Sequence, residues 1–334
     1  MEVFAAFLIM VHHLYYLGNP FIGDYYGRFA WIYVEFFFIL TGYFTYNHFS
    51  KNNKHGSIFK SGLSYTFAKF LPFIPYTTVA ISLQYIVSAP FGLLKSGNIK
   101  SFLSHFINYP LEVLLIGETQ QSNQLLAPIW FLSSMLMVFP IFTFICQMKN
   151  KYLLLTISGM YSLFYYGQVQ LCNRIWPDDL LRALAGMLTG VSVCILTELI
   201  KEKISFKKEF YASVTLIEFI CMLFVLFVTI FNLTPLTKWV IISFALGVGI
   251  MLSGFSFSSK FHSNFISFLG KISMPLFILH WFVATLINKI NKLVVLSTPI
   301  RILLYFGGTV ALSIVSYLLV NMIKRKKKYH FTAT

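Results

Sequence analysis

FAWIYVEFFFILTGYFTY, the residues from Phe29 to Tyr46, is an apolar run broken by a single carboxylate, Glu35. A run of this length suits the roughly 30 Å hydrocarbon core of a bilayer. Ionisable side chains are expensive at that depth, so they face other protein groups and mark functional positions by default, with a partner close by. The preceding run, Val3 to Leu17, carries two more such groups, His12 and His13.

Comparable runs recur along the chain. They cover Leu71 to Phe91, Ala127 to Gln147, Tyr152 to Gly167, Leu180 to Thr197, Phe210 to Phe231, Thr237 to Phe255, Ile272 to Ile290 and Ile300 to Ile323. Hydrophobic residues make up 57% of the chain and charged residues 11%, with a mean hydropathy of +0.73. That composition excludes a soluble globular domain. The expected fold is all-α, a polytopic integral membrane protein with about ten transmembrane helices, the first and fifth short for a full crossing. One membrane domain, 1–323, accounts for nearly the whole chain, with a basic tail at 324–334 and no room for an appended soluble catalytic domain. Val3 to Leu17 is expected to remain as a helix, since Glu2 stands where a signal peptide has its basic segment and no small-x-small cleavage site follows.

Lysine and arginine distribution sets the orientation. Lys51, Lys54, Lys60 and Lys69, then Lys149 and Lys151, then Lys201, Lys203, Lys207 and Lys208, then Lys260 and Lys271 all follow even-numbered runs. Those connections are expected in the cytoplasm, with Lys289 and Lys292 dissenting, and the tail Lys324 to Lys328 puts both termini on the same side. The Lys95 to Gln124 connection is then outside. The net charge of +15 reads as topology and attraction to anionic lipid heads. Scattered basic residues do not form a nucleic-acid face. Cys146, Cys172, Cys194 and Cys221 are too dispersed for a metal motif or a disulfide framework, and no repeat of fixed period is present.

At 1.5 Å per residue, His13 lies roughly 16 Å along the first helix and Glu35 roughly 9 Å below the outer surface on the second. Similar depth on consecutive helices suggests a histidine base oriented by a carboxylate, or a structural pair joining two helices. His12 points about 100° away from His13, so one of the two suffices for a site. His280, Arg182, Lys69 and Glu218 are the remaining polar groups of interest; for Arg182 and Lys69 the plain alternative is snorkelling to the interface.

Val34 to Phe44, reading VEFFFILTGYF, resembles the signature of acyltransferase family 3: an acidic residue, phenylalanines, then a Ser-Gly-Phe variant. His13, eight residues after Ala5, falls where that family has its first-helix histidine. Three further blocks are similar and in order: Pro128 to Leu132, Arg182 with Gly186 and Gly190, and Leu269 to Leu276 leading to His280. The resemblance implies ten helices that take an acyl group, usually acetyl from cytosolic acetyl-CoA, to a hydroxyl of an extracytoplasmic carbohydrate, with His13 essential. No tightly bound cofactor or metal is expected. Two features depart from the pattern. No arginine precedes the first-helix alanine in Met1-Glu2-Val3, and the arginine pair before the third-helix proline reads Tyr65 and Lys69. Lysine lacks the bidentate phosphate contact of arginine.

These readings assign His13 and Glu35 to catalysis and Lys69 with Lys60 to the phosphates of acyl-CoA. They assign Trp130, Arg182 and His280 to the acceptor, in a multi-pass protein of the cell membrane whose partners are lipid, acyl-CoA and a carbohydrate. A proton-coupled transporter or flippase would use the same intramembrane groups, although no inverted repeat is visible. A non-catalytic family member acting as a sensor or scaffold would fit the missing arginines.

Overall fold

The structure, a computed structural model, describes residues 1–17, 27–52, 57–96, 99–116, 126–168, 178–203, 210–261 and 263–332. Lys54, Cys172, Lys207 and Lys208 therefore lie outside the described residues, as does part of the Lys95 to Gln124 connection. Every regular element among the described residues is helical. In chain order these are α1 (Glu2–His12), α2 (Tyr33–Lys51), α3 (Ile58–Phe70), α4 (Ile74–Ser96), α5 (Ile99–Val113) and α6 (Trp130–Cys146). They continue with α7 (Lys151–Gln168), α8 (Asp178–Lys203), α9 (Phe210–Ile230), α10 (Thr237–Ser253), α11 (Asn264–Leu293) and α12 (Thr298–Thr332).

Each apolar run read from the sequence is a helix. Among the described residues, seven helices are long and apolar enough to cross a membrane, or up to eight if α3 and α4 form one broken span; Glu2–Leu17 is a shorter apolar helix. Two helices were not anticipated. α3 occupies what reads as a polar connection and its capping break falls at Pro72, where the missing N–H ends regular bonding. α5 lies within the Lys95 to Gln124 connection and packs back along α4, with Ser82 and Tyr109 hydroxyls 2.7 Å apart and the Thr77 hydroxyl donating to the Val113 carbonyl at 3.2 Å. α12 continues to Thr332, carrying Lys324 to Lys328 on its backbone.

The helices divide into two compact units, each assembled from separate stretches of chain: Met1–Asp24, Phe70–Ser133 and Asn264–Thr334 in the first, Tyr25–Lys69 and Ser134–Ser263 in the second. In the first unit, α1 runs parallel to α11 and stops short. After His12 the chain tightens into a 3-10 turn, His13–Leu17, whose larger rise brings α1 and the turn to about 26 Å. The end of the turn leaves carbonyls that lipid cannot satisfy; side chains of α11 and α12 take Tyr16 O and Leu17 O, and one adds a second donor to Met10 O. Tyr305 Oη donates to Met10 O at 3.1 Å, Asn288 Nδ2 to Tyr16 O at 2.8 Å, and Arg301 Nη1 to Leu17 O.

In the second unit, α2 and α8 lie parallel and nearly backbone to backbone. A Cβ on Gly42 would sit 1.9 Å from Met187 O, and one on Gly190 2.0 Å from Ile39 O. Gly186 and Gly190, four residues apart, form the small-residue stripe that lets membrane helices approach this closely. Gly42→Ala and Gly190→Ala are therefore expected to lower the thermal midpoint of the detergent-solubilised protein, by about 1–3 kcal/mol of overpacking or more. Gly307→Ala is the control, because nothing lies within 4 Å of its Cβ position. Equal midpoints for all three variants would contradict the close α2–α8 contact.

Candidate active site

The end of α1 presents its two histidines unequally. His13 is partly exposed, and its Nδ1 lies 2.9 Å from Ile9 O, one turn back, and 3.2 Å from His280 Nε2 on α11. His280 is fully buried, and its Nδ1 lies 2.5 Å from Phe277 O. A carbonyl only accepts, so in each neutral ring Nδ1 carries the proton. His280 Nε2 is then a bare lone pair, and His13 Nδ1–H shares its hydrogen between that lone pair and Ile9 O. This wiring leaves His13 Nε2 unprotonated and basic.

Around the pair, Trp281 sets its face edge-on to His13 with ring centroids 5.1 Å apart, and Tyr16 stacks on Trp281 at 4.8 Å. His12 meets the His13 ring edge-on at 4.7 Å. Trp130 begins α6 after the Pro128 turn. The next residue, Phe131, packs edge-on to Phe277 at 5.0 Å, which holds the start of α6 beside the α11 turn that bears His280. Glu112 of α5, which sequence reading passed over, is 1% exposed and accepts the Leu126 amide at 3.3 Å, anchoring that same turn.

Glu35 has a different set of partners, all in the second unit. Arg182 Nε donates to its Oε1 and Tyr166 Oη to its Oε2, with Glu35 at 0% and Arg182 at 2% exposure. The Arg182 guanidinium also sits 4.8 Å over the Trp31 ring. So the histidine at the end of α1 takes another histidine as its orienting partner, while the carboxylate holds an arginine. Arg182, expected at the acceptor side, is the buried counter-ion of Glu35. Tyr166 was invisible to a search for charged residues. Glu218 accepts from the Ser258 hydroxyl at 2.8 and 2.6 Å.

Lys60 and Lys69 both lie on α3, Lys60 exposed and Lys69 partly so. Nine residues separate them, about 13 Å of helix and half a turn of azimuth, so they do not grip one phosphate together. Tyr65, at the position of a family arginine, is stacked on His48 at 4.4 Å and lies near-parallel to Phe139 at 6.1 Å. Among the described residues, no group of three or more His, Cys, Asp or Glu is arranged to hold a metal ion.

A family model described as an acyltransferase domain matches residues 1–318 of the chain. The chain belongs to acyltransferase family 3. It is thus a multi-pass membrane protein of an acyltransferase family, and the five resembling blocks lie within the matched residues. None of the curated proteins and none of the solved structures searched matches it.

In this acyltransferase-family chain the Glu35–Arg182 pair behaves as a buried ion pair, for which removing one partner is far worse than removing both. Glu35→Met alone and Arg182→Met alone are each expected to destabilise the protein by about 3–5 kcal/mol, read as loss of folded protein by size-exclusion after graded heating. The double variant Glu35→Met with Arg182→Met is expected to be less damaged than either single change. Additive losses in the cycle would show that the two charges are not coupled.

Proposed function

We propose that this protein transfers an acetyl or similar acyl group from cytosolic acyl-CoA to a hydroxyl of an extracytoplasmic carbohydrate, with His13 as the general base. The observation that carries the reading is the hydrogen-bond wiring of His13: Nδ1 is engaged by Ile9 O and His280 Nε2, which puts the ring proton on Nδ1 and the lone pair on Nε2. An acceptor hydroxyl gives its proton to Nε2 as its oxygen attacks the thioester carbonyl. The resulting imidazolium keeps Nδ1–H between two acceptors, both of which favour its positive charge. Collapse of the tetrahedral adduct breaks the C–S bond, and the proton on Nε2 passes to the departing thiolate. A covalent variant, in which Nε2 takes the acyl group and then yields it to the hydroxyl, uses the same lone pair.

His280 acts through His13 and is a positioning residue. Trp130, held beside the same turn of α11, is assigned to the acceptor. Glu35, Arg182 and Tyr166 are assigned to keeping α2 and α8 in register. Lys69 is assigned to the coenzyme phosphates as a point charge; Lys60, on the opposite side of α3, contributes only long-range attraction. Both termini are assigned to the cytoplasm of a cell-membrane protein from the lysine and arginine pattern, and about ten crossings from the length of the apolar runs, which requires α1, α4 and α7 to span beside the seven long apolar helices.

Inside-out vesicles given acetyl-CoA labelled in the acetyl group, with carbohydrate extracted afterwards, are expected to accumulate label, whereas sealed right-side-out vesicles are not. His13→Ala is expected to reduce transfer about a hundred- to ten-thousand-fold at unchanged abundance, with His12→Ala much milder. His280→Gln, whose amide oxygen still accepts from His13, should retain more activity than His280→Leu and shift the pH profile less. Full transfer by His13→Ala protein would refute the assignment.

In the same assay, Lys69→Ala is expected to raise the apparent Michaelis constant for acetyl-CoA with little change in turnover, the signature of lost uniform binding. The wild-type constant should climb steeply with salt, because an exposed charge is screened over about 8–10 Å at physiological ionic strength. An unchanged constant in Lys69→Ala would place the coenzyme elsewhere, with the Lys201 to Lys208 connection the next to test.

A further inference from the structure

The second unit contains a cavity of about 590 Å³ between α7, α8, α9 and α10, on which the chemistry above makes no demand. Its wall is apolar in effect even where the side chains are polar. The hydroxyls of Ser162, Thr189, Thr197 and Ser253 each donate to a carbonyl of their own helix and that of Ser192 pairs with Ser158, so apart from Lys238 at one end the wall offers little to a water-soluble ligand. Leu163, Leu196, Ile242 and Leu246 of its lining are exposed, so the space opens to the surface, which in a membrane is lipid. It extends along α10 from Lys238 to Ser253, about 22 Å at the helical rise. That is longer than the roughly 15 Å half-thickness of a hydrocarbon core, so it suits one extended hydrocarbon chain.

One end is marked by charge. Lys238 lines the cavity, and its Nζ donates to Gly167 O at 2.8 Å. An ammonium has three donors, and among the described residues no carboxylate forms an ion pair with this one. Beside it Trp239 is 61% exposed, as aromatic residues are at the headgroup level. We infer that this cavity is a phospholipid site, taking one acyl chain along α10 and α8 with the headgroup phosphate on Lys238. A polyisoprenoid tail, branched along its length and far longer, would overrun the slot. The bound chain would lie against Tyr166, whose hydroxyl holds Glu35, and would keep water from that buried pair.

The test uses the full-length protein reconstituted in nanodiscs with phosphatidylglycerol bearing a photoreactive group at mid-chain, followed by peptide mapping of the adducts. Labels are expected on the cavity-facing residues of α7 and α10. A diacylglycerol probe with the same chains should label about fivefold less, the factor that one lysine near an anionic headgroup supplies, and Lys238→Gln should bring phosphatidylglycerol down to that level. Gly159→Leu fills the space, since its Cβ position meets only Ser192 Oγ at 4.0 Å, and should suppress labelling by both probes. Equal labelling by the two probes, or labelling that persists in Gly159→Leu, would overturn the proposal. So would displacement of the probe by an equimolar polyprenyl phosphate, which would assign the slot to a lipid-linked glycan.

Discussion

Backbone carbonyls freed inside a membrane have no water to turn to, and α1 frees several by ending its regular helix at His12. The first unit is organised around satisfying them. Asn288 and Arg301 reach across from α11 and α12 to Tyr16 O and Leu17 O, while Tyr305 and the His13 ring add a second donor to Met10 O and Ile9 O, which already accept backbone N–H groups. The imidazole is thus tied to the backbone that carries it. A carbonyl only accepts, so the contact with Ile9 O puts the ring proton on Nδ1 and the lone pair on Nε2. His280 repeats the arrangement with Phe277 O, so its Nε2 is an acceptor where His13 has a hydrogen to give.

The second unit solves a different problem, the burial of two opposite charges. A buried ion pair is tolerable only with close geometry and additional hydrogen bonds. Glycines 42, 186 and 190 bring α2 and α8 near enough for Arg182 to reach Glu35, and Tyr166 on α7 supplies a further donor. The packing stripe and the ion pair lie on the same face: Arg182, Gly186 and Gly190 are spaced by four. What resembles a short family motif in sequence is one helix face that performs both tasks.

Continuous apolar runs were legible because lipid imposes length and composition at once. α3 and α5 were not, since each alternates polar and apolar residues and α5 carries Pro110 inside it. The polar positions stood out in the sequence one by one, whereas their hydrogen-bond partners did not. Depth along consecutive helices matched His13 with Glu35, but the partners are His280, 267 residues away, and Arg182, 147 residues away. Spacing carries no information across such separations. Tyr166 and Glu112 gave no signal, the first because a tyrosine in an apolar run reads as packing, the second because it lies in a stretch taken for a loop.

The 147 residues between Glu35 and Arg182 also separate them in time. At a synthesis rate of about 5–20 residues per second, α2 leaves the ribosome roughly 7–30 s before its counter-ion does. During that interval the helix must enter the bilayer with a lone carboxyl, at a cost below the roughly 2.5–3.5 kcal/mol of a charged residue at a helix centre, since Glu35 stands in the first turn of α2. Phe36, Phe37, Phe38, Ile39 and Leu40, the five residues that follow Glu35, offset that cost by partitioning favourably. The phenylalanine-rich signature thus serves biogenesis before it serves packing, by admitting α2 to the membrane ahead of the arginine it will hold.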